Sequence, residues 1–109
     1  MAKTITFSYK DKDYTLEYTR SAVATMERQG FVAADIDIKP MLTLPALFAG
    51  AFLAHHSSVK REVIDEIYKK LPNKREFLAK LGEMYAEPIE SLTAEPEEGE
   101  GNIAWGSSF

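Results

Sequence analysis

The sequence contains no cysteine in its 109 residues, which excludes a disulfide framework and any thiolate metal site. It has a single tryptophan, two histidines and, beyond Lys80, no lysine or arginine. Its longest uncharged stretch, Pro40 to Ser58 apart from the two histidines, is apolar only in its middle. That middle, Leu44 to Ala54, is about half of the ~20 residues a membrane helix requires, so no transmembrane segment is expected. Residues 1–20 place Lys3, Lys10 and Lys12 among alternating polar residues, with no apolar core or small-residue cleavage site. No secretory leader is expected either, and the absences together fit a reducing cytoplasm.

A composition of 45% hydrophobic and 28% charged residues fits one small domain. The formal net charge of −4 is unevenly placed, because Glu95, Glu97, Glu98 and Glu100 cluster near the end of the chain. Removing those four from the 17 acids leaves as many acids as the 13 basic residues, so residues 1–94 are neutral. Without a basic excess there is little to release counterions from a phosphate backbone, which argues against general nucleic-acid binding and against anionic membranes.

The organisation reads as a body over 1–94 and an acidic tail over 95–109. Ile5, Phe7 and Tyr9 alternate with polar residues, as do Tyr14, Leu16 and Tyr18, which predicts two half-buried strands. A loop of Lys10 to Asp13 would pair Tyr9 with Tyr14, Phe7 with Leu16 and Ile5 with Tyr18. One face of this hairpin is apolar and must be covered. Thr19 or Ser21 can cap a helix running to Gln29, with Gly30 suited to the left-handed position after it. Residues 31–39 read as an irregular or extended link ending at Pro40, with Ile36 and Ile38 pointing inward.

From Thr43 the apolar spacing becomes helical through Leu44, Leu47, Phe48, Ala51, Phe52 and His55, with Pro45 in the first turn. The other side of this helix is also apolar, so it is either central to the core or part of a protein-binding surface. Ser57 or Ser58 would start a third helix with Asp65–Lys69 and Glu66–Lys70 pairs, stopped by Pro72. Asn73 and Glu76 resemble a capping box ahead of a fourth helix whose inner face carries Phe77, Leu78, Leu81, Met84 and Tyr85. Pro88 opens a last turn through Leu92. The expected fold class is therefore α+β, mainly α: an N-terminal β-hairpin, about four helices and a flexible acidic C-terminal tail.

No constellation supports catalysis. His55 and His56 diverge by about 100° on a helix and have no third histidine or intervening glutamate, so the end of an apolar helix explains them better than a metal. Asp35 and Asp37 form a carboxylate pair without a phosphate-binding loop or further acids, as on a solvated face. Lys60, Arg61, Lys69 and Lys70 are nearly balanced by Glu62, Asp65 and Glu66, as on a solvated helix rather than a DNA-reading one. No enzyme activity, metal or cofactor is expected. The stronger signal is the apolar helix together with Ile103, Trp105 and Phe109 behind the acidic run. Tryptophan is a favoured interface anchor, and this segment either folds back on its own body or docks on a partner.

Taken together, the hairpin and helix ITFSYKDKDYTLEYTRSAVATMERQGF, the apolar helix LPALFAGAFLAHHSSV, the helical pair EVIDEIYKKLPNKREFLAKLGEMY and the tail EPEEGEGNIAW resemble the tail assembly chaperones of long-tailed (siphovirus-type) bacteriophages and prophages. The resemblance is one of organisation and contains no catalytic string. It implies a non-enzymatic helper in the bacterial host cytoplasm that binds the tape measure protein, assists assembly of the tail tube protein and self-associates. A frameshift-extended form is frequent in that family. On this reading Leu47, Phe48 and Phe52, with Tyr68 and Phe77 beside them, would form the client-binding face, and Ile103, Trp105 and Phe109 an anchor on the tail. The alternative is a small phage or prophage regulatory protein contacting DNA through its third helix.

Overall fold

The computed structural model describes residues 3–94 and 104–108. It has an N-terminal antiparallel hairpin followed by four helices, the α+β arrangement expected from the sequence. Strands β1 (Ile5–Tyr9) and β2 (Lys12–Leu16) pair Tyr9 with Lys12, Phe7 with Tyr14 and Ile5 with Leu16. The turn between them is two residues long, not four. Lys10 and Asp11 both take left-handed backbone angles (φ 49° and 63°), the conformation a two-residue turn needs to match strand twist. The register therefore differs by two residues from the expected one. Because side chains alternate with period two, the same apolar face stays inward. Phe7 stacks on Tyr14 with ring centroids 5.3 Å apart, and Tyr18 leaves the sheet to enter the core.

Helix α1 (Arg20–Arg28) starts at Thr19, whose hydroxyl accepts from the Ala22 amide at 3.0 Å. It ends in a Schellman motif: the Gly30 amide donates to the Glu27 carbonyl and the Phe31 amide to the Met26 carbonyl. Gly30 supplies the required positive φ of 95°. The following link is not extended, since Ala33–Asp37 forms a 3₁₀ turn that leaves Ile38 74% exposed instead of inward.

Helix α2 (Pro40–Gly50) begins three residues before the expected cap and ends before His55. Pro40 sits at its start, where a missing N–H costs nothing, so Thr43 is a buried interior residue and not a cap. Pro45 lies inside the helix and gives no N–H to the Met41 carbonyl. At its far end α2 lies close against α1, where a Cβ on Gly50 would come within 2.4 Å of the Met26 side chain. The segment after α2 then closes the free edge of β2: Glu17 donates its amide to the Ala51 carbonyl at 3.1 Å, and Thr15 donates its amide to His56 Nε2 at 2.9 Å.

Helix α3 (Arg61–Lys70) and helix α4 (Lys74–Ser91) are joined through Pro72. The expected capping box is absent, because Asn73 adopts a left-handed backbone (φ 49°) and its side chain accepts no cap hydrogen bond. Lys74 instead reaches back to the carbonyls of Lys69 and Leu71, placing a cation on the negative end of α3. Asp65 pairs with Arg61 at 3.2 Å and Glu66 with Lys10 at 3.4 Å, in place of the pairs expected along α3. Helix α4 continues through Pro88, which is buried inside it and does not open a separate turn. The core joins all these elements around Leu16, Phe48, Phe52 and Leu81, the largest fully buried side chains.

Candidate protein-binding surface

The residues expected to bind a client belong largely to the core. Leu47, Phe48 and Phe52 are buried, Phe48 with only 1% exposed, so they are not available as a surface. Tyr68 and Phe77 are half-buried and pack their rings against Phe48 with centroids 5.3 and 5.7 Å away. The five side chains do come together, as a cluster that binds α2 to α3 and α4 within the fold. The physical reason is that the hairpin, which adds Phe7 and Tyr14 against Phe52, closes the face that a helix alone would leave open. Of the tail anchor, Trp105 is 87% exposed, whereas Ile103, Phe109 and the acidic residues 95–100 lie outside the described residues.

Other exposed apolar side chains among the described residues are Ile89 and Leu92 at the end of α4 and a larger group near the 3₁₀ turn. Val32, Ile38, Met41 and Leu42 are exposed, Met41 at 86% and Leu42 at 73%, where the 3₁₀ turn meets the start of α2. Sequence periodicity missed them because a helix taken to start at Thr43 leaves Met41 and Leu42 in a link. The early start at Pro40 is the signal that would have placed them on its outer first turn. Beside them opens a cleft of about 470 Å³ between the end of α1, the length of α2 and the start of α3. Phe31, Val32, Leu42, Ala46, Leu53 and Val59 form its apolar wall, and Asp35, Lys39 and Arg61 supply charge. This combination of an apolar trough and a charged rim is suited to holding an apolar segment of another chain.

The two histidines singled out in the sequence make contacts within the fold. His55 Nε2 lies 2.7 Å from a Glu17 oxygen, and His56 accepts from the Thr15 amide. Burial, and then the charges of Lys12 and His55, lower the pKa of His56. Tyr9 donates to Glu66 at 2.7 Å and receives a hydrogen bond from Lys70 at 3.0 Å, tying the hairpin to α3. The Tyr9 hydrogen bond is the main influence holding the Glu66 carboxyl below its usual range. Tyr18 donates to the Leu47 carbonyl at 2.6 Å, and burial drives its phenol pKa well up. Among the described residues no three His, Asp or Glu side chains gather as a metal site would require, and no helix is long and apolar enough to cross a membrane.

A family profile described as "Domain of unknown function (DUF5055)" matches residues 1–109. The chain belongs to that family. No curated protein and no solved structure matches it. Membership thus carries no activity with it, and the surface just described is the feature from which a function can be argued.

Proposed function

We propose that the chain is a non-enzymatic tail assembly chaperone of a long-tailed bacteriophage or prophage, acting in the bacterial host cytoplasm. Its client is the tape measure protein, and it assists assembly of the tail tube protein. The observation that supports this reading is the exposed apolar edge of Val32, Ile38, Met41 and Leu42 beside an open cleft. A helical client segment presents apolar residues every three to four positions, and a trough with a hydrophobic wall is the surface that recognises such a row. The binding face is therefore assigned to the start of α2 and its neighbours, and the role first given to Phe48 and Phe52 passes to Met41 and Leu42. Self-association and a frameshift-extended form remain part of the proposal through the sequence resemblance.

Co-expression with the tape measure protein tests it. Met41→Glu together with Leu42→Glu places two charges on exposed positions and should leave the fold intact by circular dichroism while abolishing co-purification. Undiminished co-purification by that folded variant would remove this face from consideration. Absence of co-purification by the unmodified chain would remove the client.

A further inference from the structure

The hairpin has two edges, and the fold treats them differently. The outer edge of β2 is covered by the segment after α2, through the Ala51 carbonyl and His56 Nε2. The outer edge of β1 has no partner strand among the described residues, since the sheet contains these two strands alone. We infer that β1 pairs with β1 of a second copy of this chain, antiparallel about a two-fold axis at Phe7, to make a four-stranded sheet. The contact gives a surface to the self-association in the proposed function and rests on that reading only for its biological setting; the α2 face takes no part in it.

The backbone of β1 is set for this pairing. With Tyr9 opposite Lys12 across a two-residue turn, the odd-numbered residues of β1 exchange hydrogen bonds with β2, and Thr6 and Ser8 turn their N–H and C=O groups outward. Thr15, opposite Thr6, shows the same alternation on β2, where its outward amide reaches His56. Nothing within Ile5–Tyr9 blunts the edge: the strand has no proline, no charged residue and no bulge, the devices by which unpaired edges ordinarily avoid other strands. Phe7 is its midpoint, so a two-fold axis there overlaps the whole strand. Thr6 then lies opposite Ser8 of the second copy, a pair that exchanges both backbone hydrogen bonds and recurs on each side of the axis.

The side chains fit the same register. Tyr14 and Leu16 on β2 are buried, whereas Ile5, Phe7 and Tyr9 on β1 are only half-buried, so the apolar face of the hairpin is left open along its β1 side. Two-fold pairing sets Phe7 beside Phe7 and Ile5 beside Tyr9 of the second copy, and apolar cross-strand neighbours of this kind cover one another's outer flanks. The charges agree as well, because the register that centres on Phe7 brings Lys3 opposite Asp11 of the second copy. Lys10, the cation at the other end of the strand, is already paired with Glu66 at 3.4 Å. Two five-residue strands bury less than the roughly 800 Å² per partner of a standard stable complex, so the association is reversible and depends on concentration.

Sedimentation of the full chain from about 10 μM to about 1 mM, the range in which weak association becomes visible, tests the pairing. The mass should rise from the 12.2 kDa of one chain toward twice that value, and the Thr6 and Ser8 amides should exchange with deuterium more slowly as it does. Thr6→Pro removes an outward N–H and no hydrogen bond of the hairpin, so this variant should keep its circular dichroism and stay at the single-chain mass throughout. Amide exchange in the unmodified chain decides the matter even where that variant does not fold. A single-chain mass at every concentration overturns the inference. So does a dimer whose Thr6 and Ser8 amides exchange as fast as in the monomer, and so does a folded Thr6→Pro that still dimerises. Protection of those amides at the single-chain mass also overturns it, by showing a segment of the same chain on the edge. Met41→Glu together with Leu42→Glu separates this contact from the client face: the variant should dimerise like the unmodified chain whether or not any client binds. Loss of the dimer in that folded variant would move the contact to α2 and overturn the inference.

Discussion

At His56 a single side chain decides whether a strand edge is satisfied. In a ladder closed by the Tyr9–Lys12 pair, the Thr15 amide points away from β1 and would face a partly buried surface without a partner. The Nε2 atom of His56 accepts from it only while unprotonated. The lowered pKa of His56 means that the folded chain favours the neutral ring. Its contribution is therefore present above the ordinary histidine value of about 6.5 and is lost as pH falls through the lowered folded value. Denaturant unfolding between neutral and mildly acidic pH should show a fall in stability. His56→Gln, which keeps an acceptor and removes the titration, should flatten it. Glu66 has its pKa lowered by Tyr9, so its own loss comes at distinctly more acid pH and does not obscure the result. Equal pH dependence in the two proteins would show that the Thr15 bond does not depend on the protonation of this ring.

Among the elements, the hairpin has a correctable weakness and α2 has an ambiguous pattern. Lys10 and Asp11 both occupy left-handed conformations in which a Cβ is unfavourable, by roughly 1–2 kcal/mol for most residues and less for aspartate. Asp11→Gly should raise the stability of the whole chain by about 0.5 kcal/mol, measured as a higher denaturant midpoint at unchanged slope. A decrease would mean that the Asp11 side chain contributes more to the turn than its backbone strain costs. The alternation of Ile5 to Tyr9 and Tyr14 to Tyr18 made both strands legible, but turn length was not, because the sequence Lys-Asp-Lys-Asp has no glycine to mark the two central residues. In α2 the cause is different. A helix that is apolar on every side has no periodic contrast from which its buried face or its start can be read, so Pro40, Thr43 and Pro45 each fit a helix start equally well. The 3₁₀ turn before it escaped notice for a related reason: the alternation from Asp35 to Ile38 imitates a strand although only Ile36 packs on the core.

For the whole molecule, the distinction that matters is between apolar residues that build the core and those left over. Phe48 touches Phe52, Tyr68 and Phe77 at the centre of the fold, and Phe48→Ala should cost about 3–5 kcal/mol. Met41→Ala, at an exposed position a few residues earlier in the same helix, should change stability by less than about 0.5 kcal/mol. Thermal or denaturant unfolding of the two variants checks this, and comparable losses would mean that Met41 is covered in solution. The sequence by itself determined the hairpin, the presence of the helices and the inner face of α4, the neutral body and the acidic segment, because these follow from local periodicity and composition. Tertiary structure alone decided that Leu47, Phe48 and Phe52 are core while Met41 and Leu42 are surface. The physical reason is that burial is a competition: the hairpin, α3 and α4 together cover only one side of an all-apolar helix, and which side they cover depends on contacts between residues far apart in the chain.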